Sequence, residues 1–244
     1  ADLVSYNDKD NGQPYPFGPS DGGSDNNLSW DSEGDQPFRR QRIRNFLAVL
    51  FLSRGVPMIV SGDEYGRTQN GNNNPWCLDT IGIWNNWAAV GTNAPQQVPV
   101  DPEDSEIVSH DNLGIAATPE RVNPLLAFTA YLAGLRNRHP GLRQRTYGDE
   151  ELDEGEDVTY FFRGLTEGSS PEGDDRSLAV HIDCSEVGDT GDLLVCVNMA
   201  DDDVTFELPE TSADRPWRAI IDTSAAHEDH ANHWSGSDGP EADG

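Results

Sequence analysis

The stretch "FLAVLFLSRGVPMIVSGDEYG", residues 46–66, limits the fold more than any other feature of the chain. An apolar helical run gives way at Gly55 to a second apolar run, "VPMIVSG", and polar loop sequence opens at Asp63. The second run is short, continuous and rich in β-branched residues, which predicts a parallel strand covered on both faces. Helix, glycine, buried strand and polar loop make one αβ step of an α/β fold. In such folds the loops that follow the strand C-termini form the site.

The helix before Gly55 is predicted from Pro37, which suits a first turn, and from Ile43, Phe46, Leu47 and Leu50 at helical spacing. Gly55 stops it, with Pro57 just beyond. Its start carries Arg39, Arg40, Arg42 and Arg44, although positive charge at a helix N-terminus opposes the macrodipole. Carboxylate partners within the fold are therefore expected, the alternative being a solvated basic face. A second helix is expected from Asn123 as N-cap and Pro124 in the first turn, with Leu125, Phe128, Leu132 and Leu135 as its apolar face and "HPG" (139–141) as its end. Between and before these helices lie two irregular stretches, 5–36 and 88–123.

From about residue 145 the pattern changes. "VTYFFRGL", "SLAVHID", "LLVCVNM", "VTFELP" and "WRAIIDT" are short β-rich runs separated by acidic Gly, Asp and Ser loops. Strands without intervening helices predict an antiparallel β-sandwich. The fold class is thus α/β over 1–144 followed by an all-β domain over 145–234, with 235–244 expected as a disordered acidic tail.

Charge sets the environment. The chain of 244 residues carries 44 acidic against 16 basic side chains, a net charge of −28. The acids run along the whole sequence, and Lys9 is the single lysine. Excess Asp with almost no Lys fits a protein built for high salt, where screening suppresses self-repulsion and short carboxylates hold water; a halophilic, cytoplasmic setting is expected. Nucleic-acid binding is not expected, because phosphate contacts need clustered Lys and Arg. The longest apolar run, "FLAVLFL", is far too short to span a membrane, and no secretory signal pattern is present. The opening "ADLVSYND" reads as the continuation of a longer sequence. Cys77, Cys184 and Cys196 are odd in number and never paired as C-x-x-C, so they read as reduced thiols.

Candidate binding groups gather in two loops. "NGNNNPWCLD" supplies Asn72, Asn73, Asn74, Trp76 and Asp79, and "SDNNLSW" supplies Asp25, Asn26, Asn27 and Trp30. Amides that both donate and accept, beside a flat indole, suit neutral polyhydroxylated ligands: the amides read hydroxyls while the ring covers the apolar face of a sugar. Taken singly, each loop also reads as an ordinary Asn/Gly turn. Asp63 and Glu64 are neighbours on extended backbone and point to opposite sides, so they do not form one acid–base pair; pairing with Arg67 or the helix arginines is the structural reading. Asn27-Leu28-Ser29 is a glycosylation sequon without secretory context. His227, His230 and His233, with Glu228 and Asp229, have no apolar frame to hold a metal, and none is assigned. No phosphate-cradling loop, dinucleotide fingerprint or cofactor motif occurs.

The blocks "DLVSYND", "DGGSDNNLSW", "RRQRIRNFLAVLFLSRGVPMIVSGDEYGRTQNGNNNPWCLD" and "IGIWNNW" closely resemble the glycogen debranching and isoamylase branch of the α-amylase superfamily. "FTAYLAGLRNRHPGLR" and "LLVCVNMADDDVTFELP" resemble the helix and sandwich that follow in that family. The resemblance is strong over 2–87 and looser over 123–223. It implies the last part of a (β/α)8 barrel (loop 7, helix 7, strand 8, helix 8) over 1–144 and a C-terminal antiparallel β-sandwich over 145–234. It implies retaining hydrolysis of α-1,6 branch linkages in branched α-glucan (glycogen, amylopectin or limit dextrin) by a nucleophile, an acid/base and a stabilising aspartate. On the family pattern all three carboxylates precede Ala1. No catalytic residue is therefore assigned within the chain, and the missing N-terminal part of the parent barrel is its expected partner. With the acidic composition, a haloarchaeal source is expected. Residues 88–122 depart from the family as an insertion, and the sandwich stops early at the acidic tail. The competing reading is a non-catalytic glycan-binding or regulatory protein derived from the same family.

Overall fold

Asp35 opens the first helix, its Oδ1 accepting the N–H of Phe38 at 3.0 Å. Helix α1 runs Gln36–Leu52, with Pro37 in the first turn, where a missing N–H costs no helical bond. The chain leaves it through Gly55 at φ 99°, a left-handed conformation that glycine adopts without a Cβ clash. Arg40, Ile43, Arg44, Leu47, Ala48 and Phe51 are buried and form one stripe at three- and four-residue spacing. The sequence expectation put Phe46 and Leu50 on this stripe, but they are 59% and 36% exposed. The stripe is rotated because Arg40 and Arg44 occupy inward positions, held there by a carboxylate described below.

The computed structural model describes residues 1–9, 11, 23–69, 71–77, 84–85, 87–90, 98–99, 108–109, 123–144, 158–166, 168–187, 191–211 and 215–242. Helix α2 spans Pro124–Arg138. Asn123 caps it as expected, its Oδ1 accepting the N–H groups of Leu125 at 2.9 Å and Leu126 at 3.3 Å. Leu125, Phe128, Leu132 and Leu135 are all buried, each such side chain contributing about 1.5–3 kcal/mol of transfer free energy. Between the two helices, two-residue strands β1 (Val98–Pro99) and β2 (Val108–Ser109) pair antiparallel.

Residues 56–60 do not form the buried strand expected of "VPMIVSG". They belong to no helix or sheet among the described residues, with Val56 93%, Met58 86% and Val60 59% exposed. The backbone of Val60 bonds to Asp63 instead: its N–H donates to Asp63 Oδ2 at 3.1 Å and its carbonyl accepts from Asp63 N–H at 2.9 Å. A parallel strand is stabilised by neighbours on its edges, and among the described residues none lies there. No barrel sheet is seen among these residues.

The β-rich region forms a three-stranded antiparallel sheet of β3 (Thr159–Arg163), β4 (Ser177–Asp183) and β5 (Leu193–Asn198), in that order. The register sets Tyr160 against Ile182 and Ile182 against Leu193, and Phe162 against Val180 and Val180 against Val195, so one sheet face is wholly apolar. "VTFELP" and "WRAIIDT" contain no ladder strand among the described residues. They are held by the Glu207 N–H on the Leu165 carbonyl at 2.8 Å and by an isolated antiparallel bridge, Arg218 to Glu241. Residues 235–242, expected to be disordered, run beside 217–219, with Ala219 N–H on Pro240 O and Ala242 N–H on Trp217 O, both at 3.0 Å.

Two compact units divide the chain. One comprises Ala1–Leu50, Met58–Tyr131 and Asp222–His233; the other comprises Phe51–Pro57, Leu132–Ile221 and Trp234–Gly244. The first unit thus includes a segment that sequence reading places in the β domain. Arg40 Nε and Nη2 grip Glu228 at 2.8 and 2.9 Å, Arg44 Nη1 reaches the same carboxylate at 2.7 Å, and Arg44 Nε donates to the Thr223 carbonyl at 2.9 Å. The second unit contains another buried guanidinium. Arg136 Nη1 donates to the carbonyls of Phe51 at 2.6 Å and Ser53 at 2.8 Å, and its Nη2 donates to that of Gly55. Carbonyls at a helix C-terminus lack intrahelical donors, and a cation suits that end of the dipole.

Candidate functional site

The two Asn/Trp loops lie together. Asn73 Nδ2 donates to the Ser24 carbonyl at 2.9 Å, and its backbone N–H donates to Asn11 Oδ1 at 3.0 Å. Gly23, at φ 75°, makes the approach possible, since a Cβ there would lie 2.2 Å from Asn73 Oδ1. Asn72 is buried, and its Oδ1 accepts the N–H of Asn74 at 2.8 Å, an Asx-type local bond. Asn27 Nδ2 donates to the Asn7 carbonyl at 2.9 Å, and the backbone N–H of Asn26 donates to Ser24 Oγ at 3.1 Å. Asp25 sits 2.6 Å from Lys9 Nζ; the hydrogen bond from Lys9 holds its carboxyl below the ordinary value. The amides of Asn27, Asn72 and Asn73 therefore shape the loops.

Two indoles are exposed on these loops, beside Leu28, Asp25, Asn26 and Asn73. Trp30 is 65% and Trp76 92% exposed. The Arg42 guanidinium stacks on Trp30, 3.7 Å from the ring centroid. Asp79, the ninth candidate, lies outside the described residues. Sequence reading missed a third group: Trp84 and Trp87 are exposed, and Asn85 between them accepts the Tyr65 hydroxyl at 3.0 Å and donates to Ser61 Oγ at 3.3 Å. The Trp87 ring stands 6.1 Å from that of Tyr65. "IWNNW" carries the same amide-and-indole composition as the other two loops, and that was the signal available.

Asp63 and Glu64 are engaged locally. Asp63 Oδ1 pairs with Arg67 Nε at 3.4 Å, as the structural reading expected, and Glu64 Oε2 accepts the Gly62 N–H at 2.7 Å. Of the C-terminal histidines, His227 Nε2 lies 3.3 Å from Asp222 Oδ2 and His233 stacks on Tyr131 with centroids 4.1 Å apart; Glu228 is bound by two arginines. Among the described residues no group of three or more His, Cys, Asp or Glu is arranged to hold a metal ion. Cys184 is buried, and burial together with Asp192 pushes its thiol up to about 11, far from nucleophilic thiolate character. Among the described residues no helix is long and apolar enough to cross a membrane. The geometry suits adsorption of a neutral ligand on indole faces.

Residues 165–239 match the family model of the isoamylase C-terminal domain. The chain is 34% identical over 234 residues to an isoamylase from Flavobacterium sp, which covers 93% of this chain and 26% of that protein. It is 32% identical to a glycogen operon protein GlgX homologue from Mycobacterium bovis, covering 91% of the chain and 30% of the relative. An isoamylase from Pseudomonas amyloderamosa is 28% identical, covering 91% and 25%. These three relatives are two isoamylases and one GlgX homologue. The chain spans between a quarter and a third of their length.

Proposed function

We propose that this chain acts as part of a glycogen debranching-type glycoside hydrolase, supplying substrate-binding loops for branched α-glucan while the catalytic carboxylates lie outside it. The similarity that runs through 93% of the chain, across both units, to an isoamylase carries this reading. On it, residues 1–144 are the last part of a (β/α)8 barrel and the β3–β5 sheet belongs to a C-terminal β-sandwich. The reaction is retaining hydrolysis of α-1,6 branches in a halophilic cytoplasm. Local engagement of Asp63 by Arg67 and of Glu64 by the Gly62 N–H supports the absence of a catalytic pair from the stretch around them.

In this arrangement the indoles of Trp30 and Trp76 cover sugar faces, and chemistry is delivered to a glucan held against them. The chain purified in molar KCl is expected to bind glycogen and to release no reducing ends from glycogen or pullulan. Turnover by the chain that Asp63→Asn abolishes moves catalysis into residues 56–79 and overturns the assignment. Failure to retain glycogen at all removes the binding role.

A further inference from the structure

We propose that Arg42 is a positioning residue that makes Trp30 a one-faced platform, an inference that rests on reading the Trp30 loop as a glucan-binding surface. The Arg42 guanidinium carbon lies 3.7 Å from the Trp30 centroid and 4.9 Å from that of Phe38. Its Nη1 also donates to the Trp30 carbonyl at 2.9 Å, the Asp31 carbonyl at 3.2 Å and Ser32 Oγ at 2.9 Å. Ser32 Oγ donates in turn to the Val4 carbonyl at 2.8 Å, and the Trp30 N–H donates to the Leu3 carbonyl at 2.9 Å. One side chain thus covers the ring and ties down the backbone that carries it.

Exposure divides the two partners. Arg42 is 8% exposed and Trp30 65%. A planar, delocalised guanidinium stacks flat on an indole and takes one π-face, so a ligand stacks on the other. Residues 23–35 contain no helix or strand, and an indole on such a loop otherwise loses rotamer freedom only when the ligand arrives. Fixing it beforehand removes that entropy cost from binding. The acidic neighbours Asp25, Asp31, Glu33 and Asp35 match the platform to uncharged pyranose faces and oppose anionic ligands.

A double-mutant cycle on the full 244-residue chain, with maltoheptaose as probe in molar KCl, tests this by calorimetric affinity and near-ultraviolet circular dichroism. Trp30→Ala is expected to weaken binding about tenfold. Arg42→Gln is expected to weaken it about threefold to fivefold where Trp30 is present, to have no effect in the Trp30→Ala background, and to erase the dichroism band that Trp30→Ala erases. Arg42→Lys, which keeps the charge and loses the planar fork, falls between, and carries the cycle if Arg42→Gln does not fold. Equal weakening by the Arg42 change in both backgrounds makes Arg42 merely structural and overturns the inference, as does no weakening at all. Unchanged affinity in Trp30→Ala alone instead removes the glucan reading of the loop, and the inference falls with it.

Discussion

Arg44 and Glu228, 184 residues apart in sequence, meet at 2.7 Å. Arg44 is nearly fully buried and Glu228 keeps 21% side-chain exposure, so Glu228→Ala leaves a buried guanidinium without its carboxylate. A loss of about 2–3 kcal/mol is expected, near the lower end for breaking such a pair because water reaches the carboxylate. Burial alone works to raise the Glu228 carboxyl; hydrogen bonds and charge from Arg40 and Arg44 outweigh it and hold the pKa below 4.5. A depressed folded-state value stabilises above the ordinary pKa and is lost as pH falls through the folded one. Urea midpoints of the parent and Glu228→Ala chains should therefore differ at neutral pH and converge on acidification below pH 4.5; a constant gap excludes the ion cluster as its source.

Salt should govern stability. A net charge of −28 repels itself in dilute buffer, where the Debye length is long. Melting followed by circular dichroism is expected to rise steeply between about 0.1 M and about 3 M KCl. Equal midpoints across that range contradict a fold adapted to high salt.

Trp76 separates binding from folding. At 92% exposure its truncation should change stability by no more than about 0.5 kcal/mol. Trp76→Ala is nevertheless expected to weaken glycogen binding by about 1–3 kcal/mol, the scale for an apolar group deleted from a specificity site. Affinity electrophoresis in glycogen-containing gels measures this, and unaltered mobility shift rules the indole out as a platform.

Truncation after residue 221 removes Glu228 from the first unit, which contains Asp222–His233. Trypsin is then expected to cut between Arg39 and Arg44, where the guanidinium groups are buried in the complete chain. Cleavage sites read by mass spectrometry decide; continued protection of that stretch shows that the first unit folds without this segment.

Local signals were legible and distant ones were not. Asn123-Pro124 announced α2, and three of the β-rich runs became β3, β4 and β5, because caps and period-two patterns act within a few residues. The clustered arginines of α1 called for carboxylates, yet no local rule names Glu228 as the one that answers Arg40 and Arg44. Their inward turn displaced Phe46 and Leu50 from the expected core. "VPMIVSG" has strand composition, but a strand is completed by its neighbours, and residues 56–60 have none among those described. In the candidate site, composition pointed to the Asn/Trp loops. It did not reveal that Asn27, Asn72 and Asn73 hold the loops together while the indoles face outward.

The guanidinium of Arg136, seated on the carbonyls of Phe51, Ser53 and Gly55, acts as an internal counterion at the end of α1. Dissolved electrolyte screens charges that water reaches; a buried cation needs no such help. Desalting should therefore strip stability unevenly, loosening the acidic exterior while the end of α1 keeps its cap. Amide hydrogen exchange during dialysis would then find slow protons in the last turn of α1 after the acidic loops have opened.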